Sequence, residues 1–137
     1  MELAMTFVRN AFTGLTGAFL VLLPLQFLFA GVGVFGGDFG IHEAFGGMFL
    51  HLLTLLMTIF ALIGKQWKFA GLSFALFIAI GVQVALVEIG QNADSPWISA
   101  LHPFMAFLYW PYVYFLIWLP WKAQNTAGAP PSEPAAA

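Results

Sequence analysis

The stretch AFTGLTGAFLVLLPLQFLFA, residues 11–30, decides how the chain is read. It carries no charged side chain, and a helix needs about 20 mostly apolar residues to cross the hydrocarbon core of a bilayer. It is the densest part of an apolar run over 7–34. Three more runs of the same kind follow, over 44–63, 69–89 and 97–118. Lipid cannot satisfy an open backbone, so each run is expected to be helical. The alternating segments of about ten residues that build a membrane barrel are not seen. The links at 31–40, 64–68 and 90–96 are short, which makes successive helices antiparallel neighbours. The expected fold class is all-α: a polytopic membrane protein, an up-down-up-down bundle of four transmembrane helices.

The rest of the composition agrees. Of 137 residues, 61% are hydrophobic, 18% aromatic and only 7% charged. A soluble domain carries about a quarter charged residues, and disorder needs the opposite balance. The net charge of −2 supplies no basic field for nucleic acid, so none is expected as a partner. The lipid bilayer is the expected surrounding. With no cysteine there is no disulfide framework, thiolate metal site or cysteine nucleophile.

The transmembrane domain is expected to fill 1–122, followed by a disordered tail over 123–137, rich in Ala, Pro, Gln and Asn. The first span is too long for a signal-peptide core and contains Pro24 and Gln26, so it is read as retained. Ser95-Pro96 reads as an N-cap followed by proline in the first turn. All four basic residues, Arg9, Lys65, Lys68 and Lys122, fall at one end of the expected bundle. Asp38, Glu43, Glu88 and Asp94 fall at the other. The excess of Lys and Arg on cytoplasmic loops then places both termini in the cytoplasm, N-in and C-in. Trp67, Trp97, Trp118 and Trp121 lie near expected boundaries, as interfacial tryptophans do.

Small residues and interhelical hydrogen bonds drive helix association in lipid. Gly71, Ala75, Ala79 and Gln83 recur every fourth residue and are expected to face a neighbour. Gly47, His51, Thr54 and Thr58 form a second stripe, Thr13 and Gly17 a third, and His102, Met105, Tyr109 and Tyr112 a fourth. Pro111 removes a backbone donor and is expected to kink the last helix.

Ionisable groups inside a membrane are costly and tend to face the interior or mark function. Here Gln26, His51, Gln83, Glu88 and His102 gather in the half opposite the lysines, with His42 and Glu43 beside them. Two histidines on different helices can clamp a haem iron from both sides in a bundle core. His42 and His102 begin helices running in the same direction, so they share a depth. His51, nine residues past His42, points to the opposite face of a straight helix and is the substitute ligand. Ordinary packing is the alternative for each: His51 bonded to Gln83 or a carbonyl, His42 solvated. His42, His51 and His102 with Glu43 or Glu88 could bind a transition metal, but the spacing fits no zinc pattern, because adjacent His42 and Glu43 point to different faces; His42 and His102 are the metal-ligand candidates. No serine has a visible base partner, and the glycines of 31–40 lack the rest of a phosphate loop.

The segments Gln26-Phe27-Leu28-Phe29-Ala30-Gly31, His42-Glu43-Ala44-Phe45-Gly46, Val82-Gln83-Val84-Ala85-Leu86 and Ala100-Leu101-His102-Pro103 resemble an uncharacterised bacterial family of small four-helix membrane proteins, a domain of unknown function. The resemblance runs to Lys122. It picks out Gln26, His42, Gln83 and His102 and implies a bacterial cytoplasmic (inner) membrane. More distantly, the layout is similar to one four-helix half of haem A synthase, without its longer extracellular loop or second half-bundle. That implies a two-histidine site at the outward end and not the synthase reaction. The expected function is a non-enzymatic, electron-transfer bundle binding haem b through His42 and His102, with His51 in reserve and Gln26 and Gln83 as supporting hydrogen bonders. The alternative is a cofactor-free accessory or assembly subunit docked on a larger membrane complex. A small transporter would want broken helices, at which only Pro24 and Pro111 hint.

Overall fold

The computed structural model describes residues 2–127, the last three by backbone alone. Four helices follow one another: α1 Glu2–Val34, α2 Gly40–Ile63, α3 Trp67–Asn92 and α4 Pro96–Gln124. The shortest has 24 residues, about 36 Å at 1.5 Å per residue, against a hydrocarbon core of about 30 Å. Each helix is long and apolar enough to span a bilayer, which points to a multi-pass membrane protein. The helices extend further than hydropathy alone suggests. The links shrink to 35–39, 64–66 and 93–95. Lys65 and Asp94 turn the chain at φ 56° and 49°. Ser95 is the extended N-cap residue of α4 with proline in the first turn, but its side chain caps nothing. The helical backbone also continues to Ala127, into the segment expected to be disordered. Nothing before Gly128 and Pro130 opposes a helix there. The rest of that expected tail, 128–137, lies outside the described residues.

Packing joins α1 to α2, α2 to α3, α3 to α4 and α4 back to α1, so α1/α3 and α2/α4 are the diagonals. The end that carries the lysines is closed. Trp121, 2% exposed, sits between Phe12 and Phe69 with ring centres 4.3 and 5.2 Å away. Its indole N–H donates to Thr13 Oγ1 at 2.8 Å, and that hydroxyl donates to the Arg9 carbonyl at 2.9 Å. Trp121 is therefore a core residue and not an interfacial one, whereas Trp67 and Trp97 are exposed.

Two stretches depart from α-helical winding. Ala44–Leu50 and Val113–Trp118 are π-helical, a winding common near functional sites. The second follows Pro111. Proline there leaves the Phe107 carbonyl without its usual i+4 donor, and α4 runs on through it by widening. Pro24 likewise deprives the Leu20 carbonyl, and Trp110 repairs the loss from across the bundle, its Nε1–H donating to that oxygen at 3.2 Å. Trp110, well inside its span, is thus a tie between α4 and α1.

The small-residue stripe of α3 faces outward at Gly71 and Ala75, both exposed. The buried face is Phe69, Ser73, Leu76, Ile80 and Gln83. Lipid accepts apolar and small side chains alike, so spacing alone did not separate the two faces. The α4 stripe does face α3: the hydroxyls of Tyr109 and Tyr112 donate to the carbonyls of Ala79 and Leu72 at 2.8 and 2.9 Å.

Trp121→Ala is expected to destabilise the bundle by about 3–5 kcal/mol, and Trp67→Ala, 70% exposed, by about 0.5 kcal/mol or less. Thermal unfolding of both variants in the same detergent checks the contrast.

Candidate functional site

At the end opposite the lysines the bundle is hollow. A cavity of about 710 Å³ lies between all four helices, within the range of about 300–1,000 Å³ usual for small-molecule sites. Most of its wall is apolar, with Leu23, Phe27, Leu50, Ile80 and Val84 among the lining residues. Gln26, His42, Gln83 and His102 supply the polar groups of the interior, and Glu43, Glu88 and Gln91 lie on it toward the acidic end.

The two imidazoles come from the diagonal pair α2 and α4. Their ring centres are 5.9 Å apart, with the planes at 73°. The two glutamines come from the other diagonal, α1 and α3. Each histidine is fastened to one of them in the same way. His42 Nδ1 lies 3.2 Å from the main-chain carbonyl of Gln26, and His102 Nδ1 lies 3.4 Å from that of Gln83. A carbonyl oxygen only accepts, so each Nδ1 must carry the proton, and in the neutral ring Nε2 is left with a bare lone pair. The first latch is reciprocal: Gln26 Nε2 donates to the His42 carbonyl at 2.8 Å. A second contact, from the Gln26 Nε2–H to His42 Nε2 at 3.4 Å, is as long as the His102 bond and gives the His42 lone pair a weak donor.

Gly46 makes the reciprocal latch possible. A Cβ at this position would collide with the Gln26 amide nitrogen and stand 2.9 Å from its carbon. The π-helical turn beginning at Ala44 starts two residues past the carbonyl that Gln26 holds. Gly47 has open space around it.

One feature of the glutamines points to a ligand. Gln26 and Gln83 are only 9% and 7% exposed, yet the side-chain oxygen Oε1 of each is buried with no hydrogen-bond partner. An unpaired buried acceptor costs about 1–3 kcal/mol. Both glutamines line the cavity together with His42 and His102.

His51 is not among the lining residues. It lies tilted against Phe77, ring centres 4.2 Å apart and planes at 44°, beside Gly81 of α3, and its Nε2 has no partner. The bond from His51 to Gln83, one form of the packing alternative, is not made: His51 Nε2 and Gln83 Oε1 are both without partners. Its neighbours Thr54 and Thr58 are buried but bond within α2, to the carbonyls of His51 and Thr54. Among the described residues no group of three or more His, Cys, Asp or Glu side chains is placed to hold a metal ion. The main-chain carbonyls that fix the imidazoles, and the Trp110–Leu20 tie, were not visible as functional signals. The second had one available clue, a leucine four residues before a proline.

Gly46→Ala is expected to push the Gln26 amide off the His42 carbonyl and to cost about 0.5–1.5 kcal/mol for the lost hydrogen bond, and Gly47→Ala to be tolerated. Paired melting curves decide, and equal stability of the two variants would refute the close approach.

No curated protein and no solved structure matches the chain significantly, and a likeness to haem A synthase has no support from either. Residues 26–90 match the Family of unknown function (DUF6220), a stretch that begins at Gln26, takes in His42, His51 and Gln83, and stops short of His102.

Proposed function

We propose that the chain is a haem-b-binding electron-transfer protein of the bacterial cytoplasmic membrane, N-in and C-in, with His42 and His102 as the two axial ligands. The separation of the imidazoles is the observation that carries this reading. A metal–nitrogen bond is about 2.0 Å and a ring nitrogen is about 1.1 Å from the ring centre, so two imidazoles on opposite sides of one metal have centres about 6.2 Å apart. The observed 5.9 Å is close to that value.

The rest of the donor set fits the same group. Two imidazoles alone do not complete the coordination of a bare ion, and among the described residues no group of three or more His, Cys, Asp or Glu is placed to do so. A porphyrin brings its own four nitrogens. The cavity wall is largely apolar, as a macrocycle's faces require. The Nδ1–H bonds to the Gln26 and Gln83 carbonyls hold each ring in the tautomer that ligation needs. No Lys or Arg is among the residues that line the cavity, so a carboxylate edge would find no cation there and would need solvent. With imidazole at both axial positions no coordination site stays open for a substrate, which favours electron transfer over catalysis.

The protein purified in detergent from haem-replete cells is expected to give a sharp b-type band in a reduced-minus-oxidised spectrum. His102→Ala and His42→Ala are expected to remove it, and His51→Ala to retain it. A colourless preparation that co-purifies with a stoichiometric membrane partner would establish the accessory-subunit reading instead. For the orientation, reporter fusions at Lys65 and Asp94 are expected in opposite compartments, with Lys65 in the cytoplasm.

A further inference from the structure

A second hollow adjoins the first. Leu23, Pro24, Phe27, Phe107, Trp110 and Pro111 wall a groove of about 500 Å³ between α1 and α4. It sits beside the Trp110–Leu20 tie, and α1 also packs on α4 over the π-helical stretch Val113–Trp118. Each helix contributes a proline to the groove. Leu23 and Phe27 belong to both hollows, so a single layer of side chains separates the groove from the two-histidine cavity. Phe27 is 41% exposed and Phe107 67%, on faces that lipid would cover in a membrane.

The hydrogen-bonding character of this route is one-sided. The groove wall has no charged side chain. Its one side-chain donor, Trp110 Nε1, already bonds the Leu20 carbonyl. Pro111 withholds from the Phe107 carbonyl its usual helical donor. Behind Phe27 lies Gln26, nine-tenths buried, with Oε1 unpartnered, and across the cavity Gln83 Oε1 is in the same condition. The path therefore leads through an apolar, uncharged setting to a buried acceptor, Gln26 Oε1. Its complement is a neutral, flat molecule with hydroxyl donors and an apolar tail that can remain in lipid.

We propose that the groove between α1 and α4 is a lateral portal that admits the head of a lipid-soluble quinol toward Gln26 at the edge of the two-histidine cavity. The choice of a redox lipid rests on the electron-transfer reading, whereas the portal rests on the geometry alone. An aromatic diol supplies the missing donors. The oxidised quinone has only acceptors and cannot satisfy Gln26 Oε1, so the reduced form binds more tightly.

The test uses the full-length protein in nanodiscs and a short-chain quinol bearing a photoreactive azide. Labelling does not require haem, so a colourless protein leaves the result readable. Cross-links are expected in 20–27 of α1 and 103–111 of α4. Unlabelled quinol is expected to suppress them at about tenfold lower concentration than the matching quinone, a factor equivalent to about 1.4 kcal/mol. Phe27→Trp, which fills the passage, is expected to lower labelling about tenfold. Phe107→Trp serves the same purpose on the opposite wall should the first variant misfold. Labelling spread evenly over all four helices, equal competition by quinol and quinone, or full labelling in both tryptophan variants would each overturn the portal.

Discussion

Lipid offers no hydrogen-bond partners, and that constraint organises this molecule. A polar group inside such a bundle must be answered from within the protein. Along most of the chain it is. The two tyrosines of α4 reach carbonyls of α3, Trp121 reaches Thr13, Trp110 takes up the carbonyl stranded by Pro24, and the threonines of α1 and α2 bond back within their own helices. Against that background the orphans stand out. Of the four buried side-chain atoms without partners among the described residues, Gln26 Oε1 and Gln83 Oε1 belong to the cavity wall.

The two ends of the bundle divide the work. At the lysine end, Phe12 of α1 and Phe69 of α3 pack against Trp121 of α4. At the acidic end the same helices enclose a space. The Gln–His latch occurs twice there, with partners 16 and 19 residues apart in sequence, once across the α1–α2 hairpin and once across α3–α4. Each hairpin thus presents one imidazole whose Nδ1 proton is given to a carbonyl and whose Nε2 is an acceptor, met in His42 by the Gln26 amide at 3.4 Å. Two such hairpins facing each other make a site with matching halves, suited to a group that has two equivalent faces.

Much of this was legible in the residues, and the parts that were not have a common cause. Four runs of apolar residues separated by short links are enough to fix the helix count and the antiparallel order, because the bilayer sets a minimum length. The clustering of Gln26, His42, Gln83 and His102 at one end followed from the same arithmetic. Facing was harder. Gly71 and Ala75 carry the spacing of a packing stripe and lie outside, because a lipid-facing surface is as apolar as a helix interface. His51 shares a periodic face with Thr54 and Thr58, yet it lies against Phe77 outside the cavity wall. The change of winding after Ala44 alters the phase between it and His42. The latches themselves use main-chain carbonyls, which every residue has, so no side-chain pattern announces them.

The site depends on His42 and His102 being held with Nδ1 protonated and Nε2 as an acceptor. Nitrogen-15 solid-state NMR of histidine-labelled protein in lipid reads this directly, with resonances assigned through the His42→Ala and His102→Ala variants. The account predicts, for both rings, a protonated Nδ1 and an Nε2 that is unprotonated or metal-bound. Protonated Nε2 with bare Nδ1 in either ring would mean that the carbonyl latch does not exist, and the site built on it would go with it.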